Sequence, residues 1–130
     1  MPDVNLLAVL AATLVAFVLS STYYTLLAAE LAEVSAAGAS GEQPPPWKLA
    51  IELLRSLTVA TVVAGLASQG GVDEWTGALL LGLSLWIGFP LVLWTGAMIW
   101  ENTPLRLAAI HGGDWLAKLL VVALIVSVWQ

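Results

Sequence analysis

Residues 4–29, VNLLAVLAATLVAFVLSSTYYTLLAA, decide the fold class, because they contain no charged side chain over 26 consecutive positions. An α-helix needs about 20 apolar residues to cross the hydrocarbon core of a bilayer. The stretch is therefore long enough to span a membrane with some tilt. The sequence predicts a transmembrane helix over residues 4–29, which ends where Glu30 and Glu33 introduce charge.

Three further apolar segments follow, separated from one another by polar, glycine or proline residues. The first connection, SAAGASGEQPPP at residues 35–46, is small, polar and proline-rich, which is typical of an exposed linker. The sequence therefore predicts an all-α polytopic membrane protein, a four-transmembrane-helix bundle forming a single membrane domain over residues 1–130. A cytoplasmic linker is expected at about residues 30–46, and the helices are expected at about residues 4–29, 47–68, 75–100 and 104–129.

The composition agrees with a membrane protein. Of the 130 residues, 60 % are hydrophobic and 10 % are charged, and the mean hydropathy is +0.94, whereas soluble domains carry about 25 % charged residues. The chain has no cysteine, which excludes disulfides and thiolate metal sites. Its net charge of −5 and its four Lys and Arg residues exclude the basic surface that nucleic-acid binding requires.

Two of the predicted spans contain residues that disturb a helix. Gly88 and Pro90 are expected to kink the third span. Asn102 is expected to cap the fourth, with Pro104 at its first helical position. Residues 111–114, His-Gly-Gly-Asp, leave two alternatives for the fourth span: one helix from Pro104 that is loosened at the glycine pair, or a short interfacial piece followed by a shorter span. One helix is the expected form.

The few basic residues predict an orientation in the membrane. Lys48, Arg55 and Arg106 lie near the first and third connections, while the side with both termini and the turn at residues 70–74 has no Lys or Arg. Cytoplasmic loops carry an excess of Lys and Arg. We therefore expect a multi-pass protein of the cell membrane whose linker is cytoplasmic and whose termini are both extracytoplasmic.

Small residues recur at every fourth position on two helices, which favours close helix packing in lipid. The predicted packing residues lie on the first and second helices: Ala8, Ala12, Ala16, Ser56, Ala60 and Ala64. The alternative is that alanine is simply common in this chain. Two such ridges on consecutive helices favour tight pairing of helices one and two.

Charged residues within the predicted spans fall toward one leaflet. A charge near the bilayer centre costs about 2.5–3.5 kcal/mol on insertion scales, so these residues are expected to pair or to face the bundle interior. Two opposite-charge pairs, Glu52–Arg55 and Asp114–Lys118, meet that demand at helical spacing. The candidate ion or substrate site is one polar cluster: Glu52, Arg55, Glu101, Asn102, His111, Asp114 and Lys118.

Two interpretations of this polar cluster stay open. In the first, it is an ion, proton or substrate site that opens to one side of the membrane. In the second, the pairs only hold helices two and four together, while Arg55 and Lys118 extend toward the interface. Lys118 lies about 20 Å from Pro104 at 1.5 Å per residue, which is deep for such an extension. The polar residues 20–24 at the end of helix one are interpreted as an interfacial anchor.

Several kinds of catalytic motif are missing from the sequence. It has no Gly-rich phosphate loop, no two-histidine metal motif and no Gly-x-Ser-x-Gly elbow. An intramembrane hydrolase assembled from Glu52, His111 and Asp114 is conceivable, but almost any polar trio allows that construction. We therefore expect that the protein is not an enzyme and that it uses no metal or cofactor.

Three stretches carry a family resemblance: NLLAVLAATLVAFVLSSTYY, LWIGFPLVLW and IHGGDWLAKLLVVALIVSVW. They resemble a family of small bacterial four-helix membrane proteins, the domain of unknown function 1761, over nearly the whole chain. The motif residues that match here are Asn5, Tyr23 or Tyr24, Glu101 and Trp115. The resemblance implies the four-helix fold and no particular activity.

The chain departs from this family's pattern at two places. Family members often have a tyrosine at the position of Asp114, and a Phe-Gly-Lys-like stretch where this chain has Ala-Ala-Glu at residues 28–30. The small multidrug transporters are similar in size, but they rely on an acidic residue inside helix one, which this chain lacks.

Two functional hypotheses follow from the sequence. The first is a small permease or channel-like protein whose polar cluster forms a one-sided vestibule. Because four helices cannot easily enclose a large cavity, this hypothesis implies a homo-oligomer, most simply a twofold dimer. The second is a structural or accessory membrane protein that binds a partner or lipid through its small-residue faces. The lipid bilayer is the expected partner in both, nucleic acid is not, and no small-molecule ligand can be named.

Overall fold

In the computed structural model, which describes residues 4–35 and 45–130, all regular elements are helical. Four stretches among them are long and apolar enough to cross a membrane, which confirms the predicted all-α bundle of four transmembrane helices. The elements in chain order are α1 (Leu6–Leu26), α2 (Ala28–Val34), α3 (Pro46–Gln69), α4 (Trp75–Trp86), a π-helical turn (Ile87–Leu91), α5 (Val92–Trp100) and α6 (Leu105–Val128).

Helix α1 begins at an N-cap formed by Asn5. The Oδ1 atom of Asn5 accepts hydrogen bonds from the backbone N–H groups of Leu7 at 3.0 Å and Ala8 at 3.3 Å. The first four N–H groups of a helix have no partner within the helix, so this side chain satisfies two of them. The asparagine before helix one therefore has a structural role.

The chain stays helical beyond the predicted end of the first span. The α-helix breaks at Leu27, and residues 28–34 then form the separate short helix α2. Glu30 and Glu33 lie within α2, so the first part of the predicted linker, residues 30–34, is helical. Residues 36–44 of the predicted linker lie outside the described residues.

The third span contains the π-helical turn Ile87–Leu91, which includes Pro90. Proline has no backbone N–H and its ring obstructs the preceding turn, so the regular hydrogen-bond ladder is interrupted there. The fourth span is one helix, α6, which runs without a break through the glycine pair. The alternative of a short interfacial piece followed by a separate span is wrong.

The predicted start of the fourth helix needs correction. Asn102 does not cap α6. It adopts a φ of 58°, a left-handed conformation that asparagine tolerates better than most residues, and it lies where the chain leaves α5. Pro104 is the N-cap of α6 rather than its first helical residue.

Helix α6 lies at the centre of the bundle and contacts each of the other five described helices. Its approach to α4 is close, because a Cβ atom added to Gly82 of α4 would lie 3.0 Å from the carbonyl oxygen of Leu119 in α6. Helix α1 packs against both α3 and α6. The small residues on the two predicted ridges are all buried: Ala8, Ala12, Ala16, Ser56, Ala60 and Ala64.

The outside of the bundle is covered by large apolar side chains. Leu80, Phe89 and Leu93 are each about two-thirds exposed, and they belong to a much larger set of exposed apolar residues. A soluble monomer rarely exposes apolar surface on this scale, whereas lipid solvates it. Together with the four long apolar helices, this surface makes the chain an integral membrane protein.

Candidate functional site

The centre of α6 carries a buried ion pair. The Nζ atom of Lys118 lies 3.4 Å from Oδ2 of Asp114, and the two side chains are only 7 % and 5 % exposed. Both residues lie near the middle of the 24-residue helix. A helix of this length is long enough to span the hydrocarbon core, and the pair lies far from both of its ends.

Two hydroxyl groups of α1 and one aromatic ring complete the surroundings of the pair. Ser20 donates a hydrogen bond of 2.6 Å to Oδ1 of Asp114, and the Tyr24 hydroxyl lies 3.4 Å from Oδ2. The ammonium group of Lys118 lies 4.5 Å from the centre of the Trp115 ring, within range of a cation–π interaction. Each charge is therefore stabilised by more than its partner, as burial in a low-dielectric interior requires.

His111 lies two turns before Lys118 on the same face of α6. Its Nδ1 atom is 2.6 Å from the hydroxyl of Tyr24, and its ring stacks on Trp94 of α5 with a centroid distance of 4.9 Å. Tyr24 is thus within hydrogen-bonding distance of both His111 and Asp114. One hydroxyl group of α1 bridges two titratable groups of α6.

The glycine pair of α6 is a docking surface for aromatic side chains. The Tyr23 hydroxyl donates to the carbonyl of Ile110 at 2.7 Å, and the Trp86 indole N–H donates to the carbonyl of Gly112 at 2.8 Å. A Cβ atom added to Gly113 would lie 2.6 Å from the Tyr23 hydroxyl. A side chain at residue 113 would therefore displace the Tyr23 hydroxyl. The expected loosening of α6 at the glycine pair is not observed, because the helix continues through it.

A polar cavity of about 420 Å³ opens beside these groups. We call it the vestibule and define it by the titratable residues that line it: Tyr24, Glu52, Arg55, His111, Asp114 and Lys118. It contains two acidic and two strongly basic side chains, so their formal charges balance. The Glu52–Arg55 pair of α3 is about half-exposed, in contrast to the buried pair on α6.

The sequence matches a family described as Protein of unknown function (DUF1761) over residues 7–127, nearly its whole length. The chain belongs to this family. Comparison with curated proteins gives no match, and no solved structure matches the chain either. The functional assignment therefore depends on the vestibule itself.

The structure places the residues through which the chain resembles the DUF1761 family. Asn5 caps α1, and Trp115 lies under the ammonium group of Lys118. Tyr23 and Tyr24 both bind α6 and lie edge to face, with their ring centres 5.4 Å apart. Asn5 and the two tyrosines thus act in the capping of α1 or at its contact with α6, and Trp115 acts within α6.

The vestibule brings together five of the seven residues of the predicted polar cluster, and two are excluded. Glu101 and Asn102 are exposed at the connection between α5 and α6 and do not line the vestibule. They lie beyond the end of the third span, where the chain has already left the bundle interior. The structure does not bring these two residues together with the other five.

Sequence reasoning missed the contribution of α1 to the site. Ser20 and Tyr24 were expected to anchor α1 at the interface, yet both point to Asp114. A signal was present, because Ser20 and Tyr24 continue the four-residue spacing of Ala12 and Ala16 and so lie on the same buried face. Trp94, which stacks on His111, had no comparable signal.

An ion pair between two helices lies outside the vestibule. Arg106 at the start of α6 contacts Glu33 of α2 at 2.7 Å, and both side chains are exposed. An exposed pair contributes about 0–1 kcal/mol. Among the described residues, no group of three or more His, Asp or Glu side chains is arranged to hold a metal ion.

Proposed function

We propose that the protein is a small permease-like membrane protein, in which the vestibule admits a small ion or polar solute to the Asp114–Lys118 pair. The observation that carries this proposal is the position of a buried ion pair in the wall of a polar cavity. Ionisable residues inside a membrane are costly and typically mark ion, proton or substrate pathways. The proposal assigns no catalytic residue.

The bundle is polar at one end and apolar at the other, and this difference supports an opening to one side only. The vestibule lies where α1 ends and where α3 and α6 begin, which is the side of the linker. Beyond Lys118 the bundle is filled by apolar core residues such as Val9, Val63 and Val122. Passage across the whole membrane then requires a rearrangement or a pathway completed by a second copy, and we propose a homo-oligomer for this reason.

The alternative, an accessory protein that binds partners through small-residue faces, receives less support. The ridges on α1 and α3 that suggested it are buried inside the bundle. They contact other helices of the same chain. A partner would have to bind elsewhere.

We also propose that the linker side faces the cytoplasm. Lys48, Arg55 and Arg106 lie on the side where α1 ends and α3 begins, and the opposite side has no Lys or Arg. The excess of basic residues on cytoplasmic loops supports this orientation. The vestibule then opens toward the cytoplasm.

Cysteine labelling tests the vestibule directly, since the natural chain has no cysteine. Ser56→Cys places a thiol on α3 in the vestibule wall, and Val63→Cys places one two turns further along α3 in the apolar core. Both native residues are almost fully buried, so they form a matched pair. We expect a charged, membrane-impermeant thiol reagent to modify Ser56→Cys from the linker side and to leave Val63→Cys unmodified.

The outcomes separate the two functions. Modification of Ser56→Cys alone supports a water-filled vestibule. If both thiols stay unmodified from either side in the folded protein, the bundle is dry and the accessory role is favoured. If the vestibule opens to the cytoplasm, the impermeant reagent will modify Ser56→Cys in whole cells only after their membranes have been permeabilised.

A further inference from the structure

A chain of hydrogen-bonding groups connects the vestibule surface to the middle of the membrane. It begins at the half-buried ring of His111, passes through the Tyr24 hydroxyl at 2.6 Å from Nδ1, and reaches Oδ2 of Asp114 at 3.4 Å. Lys118 lies at its end, 3.4 Å from the same carboxylate oxygen. From His111 to Lys118 the chain advances about 10 Å along α6 at 1.5 Å per residue.

We propose that His111, Tyr24 and Asp114 form a proton relay, so that the ion served by the vestibule is the proton. This inference rests on the proposed function, because the vestibule must bring water to His111. The Tyr24 hydroxyl is the decisive group. It carries one proton and two lone pairs, so it can accept from one neighbour while it donates to the other.

The transfer balances without any further reactant. Protonated His111 gives its Nδ1 proton to the Tyr24 oxygen as the Tyr24 proton moves to Oδ2 of Asp114. The N–H bond of the imidazolium and the old O–H bond break, while a new O–H bond forms on each acceptor. Neutral imidazole, intact tyrosine and a carboxylic acid remain. A hydronium ion in the vestibule then protonates His111 again and leaves a water molecule.

Protonation of Asp114 would remove the charge that Lys118 pairs with. The ammonium group then keeps its cation–π contact with the Trp115 ring, 4.5 Å away, but it loses its ionic partner deep in the membrane. The contact between Ser20 and Asp114 that joins α1 to α6 also changes, because one carboxylate becomes a neutral acid. Proton arrival is thereby coupled to the packing of α1 against α6.

Other ionisable groups face the relay from the helices packed around it. Helix α3 contributes Glu52 and Arg55 to the vestibule, paired with each other. Helix α1 contributes Tyr23, whose hydroxyl is directed to the carbonyl of Ile110 and not to the relay. Helix α5 contributes the uncharged ring of Trp94.

The test uses the whole chain reconstituted in lipid bilayers, with protons as the probe. After a rapid drop in pH, time-resolved infrared spectroscopy follows the carboxylic acid band of Asp114. The band is assigned by its absence from the double variant Asp114→Asn/Lys118→Met, which leaves no buried charge. Tyr24→Phe removes the relay hydroxyl, and Tyr23→Phe is the matched control on the next residue.

We expect the band to appear about a hundredfold more slowly in Tyr24→Phe, the low end of what a positioned proton-transfer group contributes. His111→Gln is expected to slow it similarly, and Tyr23→Phe is expected to keep the native rate. Equal rates in the native protein and Tyr24→Phe would overturn the relay, as would the absence of an Asp114 band over the pH range in which the protein stays folded.

Failure of the relay can be distinguished from failure of the vestibule. If Ser56→Cys is modified by the impermeant reagent while Tyr24→Phe keeps the native protonation rate, the vestibule stands and the relay is refuted. If Ser56→Cys is not modified, water does not reach the site and the proposed function itself fails.

Discussion

Removing one member of the Asp114–Lys118 pair is expected to destabilise the protein strongly, and removing both is expected to recover much of the loss. The two side chains are almost completely buried. Truncating one partner of such a pair leaves an uncompensated buried charge, which costs about 3–5 kcal/mol. The double variant leaves no buried charge. Comparing its stability with that of each single variant therefore shows how much of the single loss comes from the unpaired charge that remains.

The structure indicates which single variant costs more. In Lys118→Ala, the carboxylate of Asp114 keeps its contacts with Ser20 and Tyr24, so the loss is expected near 3 kcal/mol, the lower end of that range. In Asp114→Ala, Lys118 keeps its contact with the Trp115 ring but has no ionic partner among the described residues, and Ser20 loses its acceptor. The loss is then expected near 5 kcal/mol, the upper end. The double variant is expected to lose less than either single variant, so the two effects are far from additive.

The chain provides its own control for this double-mutant cycle. Glu52 and Arg55 form an ion pair within α3 whose side chains are 42 % and 59 % exposed, and such a pair is worth about 0–1 kcal/mol. Equilibrium unfolding in mixed detergent micelles, followed by fluorescence of the seven tryptophans, measures all variants. Effects below about 1 kcal/mol that simply add for Asp114→Ala and Lys118→Ala would refute the deep burial of the pair.

Two further predictions concern helix packing. Gly82→Ala is expected to destabilise by about 1–3 kcal/mol, since its Cβ would press on the backbone of Leu119 at 3.0 Å. Gly96→Ala, where no atom lies within 4 Å, is the control, and equal melting temperatures for the two variants in detergent would contradict this packing. Ala12→Leu is expected to destabilise by a similar amount, because Ala12 is fully buried on the ridge of α1. Val15→Leu, at a position 42 % exposed, should melt within about 2 °C of the native protein, and the same result for Ala12→Leu would argue against the ridge.

The number and position of the spans were predictable because they depend on local composition. Each span needs about 20 apolar residues, and residues 75–100 meet that requirement without reference to any other part of the chain. The burial of Lys118 was predictable from its distance along the helix, because a lysine so far from a helix end cannot reach water easily. The helical face shared by His111, Asp114 and Lys118 followed from their spacing.

The contacts between helices were not predictable in the same way. Whether Tyr24 meets lipid headgroups or His111 depends on the rotation of α1 about its axis. Composition does not determine that rotation, and the only signal for it is the four-residue spacing that Tyr24 shares with Ala12 and Ala16. Asn102 shows a related problem at a helix end, because asparagine favours both an N-cap and a left-handed turn. The structure selects the turn, and the fourth helix begins at Leu105, after Pro104.

The small-residue ridge of α1 and the vestibule are parts of one arrangement. Ala12, Ala16 and Ser20 occur at successive helical turns on one face. The first two are fully buried in the apolar half of the bundle, and Ser20 then lies 2.6 Å from the carboxylate of Asp114. Because a leucine at residue 12 would push α1 outward, it should also lengthen the Ser20 and Tyr24 contacts with α6. Ala12→Leu is therefore expected to slow protonation of Asp114 although residue 12 lies about two turns from the vestibule.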